Sequence, residues 1–207
     1  MTSKFLSLEP AKRAPIVNAA LKEFARKGFD DASTNEIVKE AGISKGLLFH
    51  YFNTKKELFL FLFDYSVEIL KAEYLALLNT DERDIFARYR HAALLKIDII
   101  HKHPYVFDFI GVAAFTESEQ VREELETRKS ELHANSLAKL FENIDVSKFR
   151  SDIEVKRAVN IVVWVVEGYE QQAQKELQGA LLSQIDYDAF LADFDAYIEV
   201  LKNCLYQ

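Results

Sequence analysis

A run of aromatic and basic side chains near the start of the sequence has the residue types that bind anions. Residues 42–59 read GISKGLLFHYFNTKKELF, with His50 and Tyr51 close to Lys45 and Lys55. Lysine ammonium groups and tyrosine hydroxyls donate hydrogen bonds of the kind that phosphate oxygens accept. The alternative is an ordinary helix corner whose core residues show in the sequence.

Charge is divided unevenly along the 207 residues. Residues 1–56 hold 10 Lys and Arg against 6 Asp and Glu, a net charge of +4, whereas residues 57–207 hold 16 against 27, a net charge of −11. A basic head on an acidic body suits a chain that touches a polyanion at one end, although clustering by chance is the alternative. A nonspecific architectural DNA-binding protein would be basic throughout.

Composition places the chain among ordinary globular proteins that are rich in helix. Only 6 Gly and 3 Pro occur, and the single cysteine, Cys204, excludes an internal disulfide and predicts a reducing, cytoplasmic setting. Residues 1–15 lack the apolar core of a secretory signal, and the longest strongly apolar run, 161–166, is far shorter than a membrane span of about 18 residues. No phosphate loop, nucleophile elbow, HExxH or cysteine pair appears, so neither an enzyme nor a cofactor is predicted.

Apolar spacing predicts an all-α fold of about nine helices without a strand. The predicted helices cover 12–27, a short stretch between Ser33 and Gly42, 45–52, 55–78, 82–102, 104–114, 117–142, 152–178 and 186–206. Gly28 is expected to end the first helix, and Pro104 to begin the sixth.

The segment 33–52 has the pattern of a helix-turn-helix. Ser33 is an N-cap that Glu36 would complete as a capping box, Gly42 ends the helix, and Ser44 caps the next one. Five apolar side chains are expected to form the core between the two helices: Ile37, Ala41, Ile43, Leu48 and Phe52. That arrangement leaves Lys45, Gly46, Leu47, Phe49 and His50 on the outside or flank, with Tyr51 at the edge.

A family resemblance is carried by three stretches: Ser33-Thr34-Asn35-Glu36-Ile37-Val38, Ala41-Gly42-Ile43-Ser44-Lys45-Gly46 and His50-Tyr51-Phe52-Asn53-Thr54-Lys55-Lys56-Glu57-Leu58-Phe59. These stretches closely resemble the DNA-binding domain of the tetracycline-repressor (TetR) family. The resemblance covers about residues 12–60. It implies a helix-turn-helix DNA-binding domain over 1–56 and a helical ligand-binding and dimerisation domain over 57–207. It also implies a homodimeric repressor that binds a palindromic double-stranded operator and is released by a small molecule.

The resemblance assigns roles to positions of this sequence. Thr34 matches a position where a hydroxyl meets a phosphate, and Asn35 one where a side chain reaches a base. Lys45, Gly46 and Leu47 match the first turn of the recognition helix, which faces the bases; Lys45 could bond a guanine edge and Leu47 touch a thymine methyl. Phe49 stands where the family more often has Tyr. Tyr51 and Lys55 match phosphate contacts, and His50 suits either contact or exposure beside the DNA backbone.

Two tasks are expected of the larger, acidic part of the chain: assembly and sensing. The all-round apolar run 161–166 and the apolar stripe of 186–206 predict a dimer interface, and the core of a monomeric bundle is the alternative. Its expected residues are Val163, Val166, Phe194, Tyr197 and Leu201. For an apolar or aromatic inducer, the candidate residues are Tyr105, Phe109, Asn160, Trp164 and Glu167.

Two further readings of the body stay open. Asn160 and Glu167 could also pair across the dimer or reach solvent. His101 and His103 are two apart on a predicted helix and point opposite ways, so no metal site is predicted. The alternative function is a transcriptional activator, or a regulator controlled by a protein partner.

Overall fold

The computed structural model describes residues 2–103, 105–177 and 185–207, and within them the chain forms ten α-helices and no strand. The α-helices are α1 (Thr2–Leu6), α2 (Pro10–Asp31), α3 (Thr34–Ala41), α4 (Lys45–Tyr51), α5 (Lys55–Leu70), α6 (Ile85–Lys102), α7 (Val106–Ala114), α8 (Arg122–Phe141), α9 (Val155–Glu176) and α10 (Asp188–Leu205). A π-helical turn, Lys71–Leu75, continues α5, and a 3₁₀ turn, Val146–Lys148, lies between α8 and α9. The predicted all-α class is confirmed.

Several predicted helix limits are wrong, and the differences have local causes. Helix α1 was not predicted because its few residues show no helical period. The predicted helix 55–78 is α-helical only to Leu70, where the wider π turn begins. Gly28 does interrupt the helical geometry of α2, with φ 70° and ψ −173°, which an L side chain rarely adopts. The predicted start at Pro104 and the predicted end at 178 lie outside the described residues.

Two apolar cores hold the molecule together. The first joins α1 to α5 with α7 and the start of α8, and its centre includes Phe24, Phe59 and Phe109. The second joins α6, the end of α8, α9 and α10. Because α7 and the start of α8 pack into the first core, residue 56 does not separate the two cores. The head and part of the body therefore share one packed interior.

A buried arginine connects the elements around the second core. The guanidinium of Arg88, on α6, is completely buried and donates only to backbone carbonyls. Its nitrogens bond Thr80 at 3.0 Å and Leu140 at 2.8 Å, and they also bond Glu82 and Glu142. These carbonyls belong to the loop before α6 and to the end of α8, so Arg88 ties both segments to α6. The rigid fork of five N–H donors explains why arginine, and not lysine, suits this position.

Candidate nucleic-acid interface

Caps define both ends of α3 and the start of α4. The hydroxyl of Ser33 accepts from the Glu36 amide at 3.4 Å, and the hydroxyl of Ser44 accepts from the Leu47 amide at 3.1 Å. Gly42 adopts the left-handed conformation, with φ 66°, and its amide bonds back to the end of α3. The predicted caps are confirmed, and the ends of these helices are fixed by local hydrogen bonds, two of them from backbone amides to serine hydroxyls.

The predicted capping box at the start of α3 is wrong in one half. The amide of Ser33 donates to the carboxylate of Glu23, on α2, at 2.9 Å, and not to Glu36. Glu36 instead lies exposed, with its carboxylate 4.0 Å from Lys39. A glutamate from another helix can satisfy the same amide when packing brings it close. The bond therefore joins α3 to α2 and does not merely cap α3.

The inner and outer faces of α4 divide as the pattern predicts. Ile37, Leu48 and Phe52 are buried in the first core, and Ala41 and Ile43 pack half-buried against it. On the opposite side, Lys45, Gly46 and Leu47 are exposed on the first turn. A Cβ added at Gly46 would meet no atom of the chain within 4 Å, so packing inside this protein does not require glycine there. The turn thus presents one cation, a bare backbone segment and one apolar side chain.

The remaining predicted contacts flank this turn. Thr34 is half-buried at the start of α3, and Asn35 is exposed beside it. On α4, Phe49 is half-buried and His50 is exposed, with the rings of His50 and Tyr51 5.6 Å apart. Polar side chains at the starts of α3 and α4 are therefore open to solvent at Asn35 and Lys45. They offer hydrogen-bond donors to a polyanion without a deep pocket.

Lys55 has a role inside the protein that sequence reasoning missed. Its ammonium donates to the carbonyl of Asp30 at 2.9 Å and to that of Ala32 at 3.3 Å, and it lies 4.9 Å from the ring centre of Phe29. Two of the three ammonium donors are used in these bonds. Lys55 thus fixes the turn between α2 and α3 to the start of α5, at the edge of the candidate interface.

The body is joined to this head by a second group of polar contacts. Ser118, in the loop between α7 and α8, donates to the Asp30 carboxylate at 2.8 Å. Lys56 pairs with Glu124 of α8, and this hydrogen bond lowers the pKa of the Glu124 carboxyl. Asp30 therefore accepts from the body through its side chain and from Lys55 through its backbone. The Ser118–Asp30 bond thus connects the α7–α8 loop to the turn before α3.

An apolar face on α9 and α10 is exposed among the residues that the structure describes. It consists of Ile161 and Trp164 on α9 with Tyr197 and Val200 on α10, and Trp164 is 66% exposed. Of the predicted interface residues, Val166, Phe194 and Leu201 are buried in the protomer's own second core, and Val163 is half-buried. An apolar pattern in the sequence does not reveal which side of the helix faces the chain's own core. Only Tyr197 of the predicted set is openly exposed.

The exposed face continues into an open groove between α9 and α10. The groove has a volume of about 440 Å³ and is lined by aromatic and acidic side chains that include Tyr169, Phe190, Asp193 and Tyr197. The hydroxyl of Tyr169 donates to the Phe190 carbonyl at 2.9 Å. Burial and the Asp193 carboxylate raise the pKa of Tyr169 to about 12.

The five predicted inducer contacts do not come together in one cavity. Phe109 is fully buried and Tyr105 half-buried beside the first core. Asn160, Trp164 and Glu167 lie on α9, where Asn160 and Glu167 are half-buried and Trp164 faces outward. Tyr105 and Phe109 thus border the first core and the other three lie on α9, and a shared inducer pocket stays a prediction.

A polar cluster in the body was missed at the sequence level. It consists of Tyr74 from the π turn, Tyr89 and Lys96 from α6, and Glu167 and Glu170 from α9. Lys96 bonds Glu170 at 3.1 Å, and burial, with the charges of Glu170 and Glu167, raises the pKa of the Tyr89 phenol. Burial and Glu170 likewise raise the pKa of Tyr74. These residues are far apart in the sequence, and the cluster becomes visible only because the π turn, α6 and α9 meet in the folded chain.

Neither a metal centre nor a membrane span was found in the part of the chain that the structure describes. No group of three or more His, Cys, Asp and Glu side chains there is placed to hold a metal ion. No helix in the same ranges is long and apolar enough to cross a bilayer.

Comparison with known proteins agrees with the helix-turn-helix class. Residues 16–62 match the family model described as bacterial regulatory proteins, tetR family. An uncharacterized HTH-type transcriptional regulator, YuxN of Bacillus subtilis, is 30% identical over 139 residues, which are 63% of this chain and 46% of that protein. The regulator BetI of Agrobacterium fabrum is 36% identical over 55 residues, or 27% of each chain. The chain thus spans under half the length of the curated relatives it matches.

A solved structure extends the likeness to the whole fold. A TetR family transcriptional regulator from Chloroflexus aurantiacus aligns with a TM-score of 0.67 at 20% identity, over 99% of this chain and 98% of that one. At that identity the match defines the fold alone. Residues 16–62 are thus similar to the tetR family of regulatory proteins, as the sequence motifs predict, and the whole chain has the all-α fold of the solved TetR-family structure.

Proposed function

We propose that the protein is a transcriptional repressor that binds a palindromic operator as a homodimer and leaves it when a small molecule binds the body. The observation that carries this proposal is the first turn of α4, where Lys45, Gly46 and Leu47 stand exposed on a helix-turn-helix with a buried inner face. At that turn the lysine can bond a base edge, the glycine lets the backbone approach the DNA closely, and the leucine can contact a thymine methyl.

Contacts around this turn would position the head on the DNA backbone. Thr34 and Tyr51 are proposed to bond phosphates, and Asn35 to reach a base at the edge of the recognised site. Phe49 and His50 would lie against the sugar-phosphate chain. Lys55 is proposed to approach a phosphate with its remaining ammonium donor while its other donors hold the α2–α3 turn. Its contribution would then combine neutralisation of charge with support of the fold.

The uncovered face of α9 and α10 supports the dimer. Four large apolar side chains, Ile161, Trp164, Tyr197 and Val200, stand exposed on two neighbouring antiparallel helices. A soluble protein seldom leaves such a contiguous patch in water, and a second copy would bury it by pairing two helices with two. Two heads related by a twofold axis could then read half-sites about 34–36 Å apart, one turn of DNA.

Release by a ligand is proposed to act through the body's contacts with the head. The polar cluster around Tyr89 and Glu167 offers orienting groups for a small, mainly apolar or aromatic inducer held near α6 and α9. Movement there would reach the head through α5 and through the Ser118–Asp30 bond. A ligand that prefers the arrangement unable to bind DNA must weaken DNA binding, and DNA must weaken ligand binding by the same factor.

A regulator controlled by a protein partner, or an activator, is the second candidate. Phe115 is exposed in the loop between α7 and α8, three residues before Ser118. A partner that covered Phe115 would act directly on the bond between that loop and Asp30, without entering a cavity. Operator binding that responds to a protein and to no small molecule would favour this second candidate.

Selection of bound DNA from a random pool tests the proposal. Recovered sequences should share a palindrome with half-site centres about 10 base pairs apart, or a multiple of that helical repeat. Recovery of no preferred sequence by the intact protein would contradict the proposed operator. Recovery of a single unrepeated half-site would keep DNA recognition and contradict the dimer.

A further inference from the structure

Helix α1 lies before the residues 16–62 that match the TetR family model, yet it is part of the head's core. Its Phe5 is only 1% exposed. Three aromatic rings surround it, with ring centres 5.5 Å away for Tyr51, 4.9 Å for Phe52 and 5.3 Å for Phe61. The segment that matches the family model does not include this helix, so the burial of Phe5 needs an explanation of its own.

The position of Phe5 is the junction between the recognition helix and the connector to the body. Tyr51 is the last residue of α4, Phe52 is its C-cap, and Phe61 lies on α5. The rings of Phe52 and Phe61 are themselves 5.1 Å apart, so Phe5 completes a three-ring contact. One side chain thus holds the end of α4 against α5.

Helix α4 needs this support because it is short. It has seven residues, and isolated helices under about 12 residues are marginal in water. At its end the Phe52 amide bonds the Leu48 carbonyl at 2.9 Å, and this bond fixes the direction in which Tyr51 leaves the helix. Without the Phe5 ring, water would reach the apolar junction and the last turn of α4 would open more often.

We infer that Phe5 is a positioning residue for DNA recognition: it holds the last turn of α4 so that the half-exposed Tyr51 meets a phosphate. This inference rests on the proposed function. Helix α1 thereby belongs to the unit that reads DNA, although it contributes through Tyr51 and not by touching a base. Phe5 also makes α4 follow α5, so a tilt of the connector would move the recognition helix with it.

The first arm of the test needs no DNA. Amide hydrogen exchange of the intact protein should show faster exchange at the end of α4 in Phe5→Ala, by about tenfold or more, with α9 and α10 unchanged. Phe5→Leu, which keeps most of the apolar volume, should restore most of the protection. Leu6→Ala is the matched control, because Leu6 lies on the same helix and is 50% exposed. Unchanged exchange in α4 of Phe5→Ala would overturn the inference.

The second arm is a double-mutant cycle on the affinity for the selected operator. Phe5→Ala should weaken binding about tenfold, equivalent to about 1.4 kcal/mol. In a Tyr51→Phe background, which keeps the ring but lacks the hydroxyl, Phe5→Ala should cost less than about threefold, since the contact it positions is already lost. Phe5→Leu should bind nearly as the wild type does.

Failure of this inference and failure of the proposed function give different results. If the wild-type protein selects no DNA, the proposed function fails and the role of Phe5 at DNA fails with it. If the wild type selects an operator and Phe5→Ala binds it equally well, only the inference is overturned. An equal loss from Phe5→Ala in both Tyr51 backgrounds would also overturn it, because Phe5 would then act without Tyr51.

Discussion

Replacing Trp164 by aspartate should separate two protomers without unfolding either one. Trp164 is 66% exposed on α9, so its side chain contributes little to the protomer's own core. Taking about 250 Å² for a whole tryptophan, a second copy could remove at most roughly 160 Å² of it from water, an upper limit of about 4 kcal/mol at 25 cal/mol/Å². A twofold interface contains this contact twice, so the upper limit is about 8 kcal/mol in all, before the cost of burying two carboxylates.

Sedimentation equilibrium across a concentration series measures this effect. The wild type should be dimeric at micromolar concentration and Trp164→Asp monomeric, with the far-ultraviolet circular dichroism of both alike, since each 1.4 kcal/mol weakens association tenfold. Val146→Asp is the control, because Val146 is an exposed apolar side chain on the 3₁₀ turn and is not part of the face formed by Ile161, Trp164, Tyr197 and Val200. A dimer of unchanged affinity in Trp164→Asp would refute the assignment of this face.

Three further variants test contacts inside the chain. Arg88→Met leaves its buried carbonyl partners unpaired and should lower the unfolding free energy by about 3–5 kcal/mol in urea, with Arg88→Lys recovering only part. Burial opposes ionisation of Asp84, but hydrogen bonds from Lys148 and from amides at the start of α6 hold its pKa below 3.8. The ionised carboxylate of Asp84 therefore stabilises the fold above pH 3.8, and this stabilisation is lost as the pH falls through the depressed pKa. On acidification, the unfolding free energy of the wild type should thus fall more steeply than that of Asp84→Asn. Ser118→Ala removes the bond to Asp30 and should cost about 1 kcal/mol of stability without changing the dimer affinity.

The helix-turn-helix could be predicted from sequence because the signals that build it are local. Ser33, Gly42 and Ser44 cap helices through bonds to residues within a few positions, and those bonds form as predicted. The half of the capping box that failed involves Glu23, which packing brings from another helix. Local chemistry thus identified the caps, and tertiary packing decided which acidic side chain satisfied the Ser33 amide.

Other features depend on partners that are distant in sequence. Phe5 is one apolar residue in an unremarkable stretch, and its importance comes from rings near positions 51 and 61. Arg88 reads as a charged residue in an amphipathic helix, yet its carbonyl partners reach as far as residue 142. The apolar stripe of α10 was visible in the sequence, but only packing shows that Leu201 faces inward while Val200 faces outward.

Base preference in Lys45→Ala tests the central claim most directly. Once an operator is selected, single-base variants of that site are titrated with the wild type and with Lys45→Ala, at one fixed salt concentration. The exposed first turn of α4 predicts a loss of about 1–3 kcal/mol and relaxed preference at one position of each half-site, with the other positions read as before. Lys39→Ala, an exposed lysine on the neighbouring helix α3, serves as the control for charge. Unchanged affinity and unchanged base preference in Lys45→Ala would contradict the claim that this turn reads DNA.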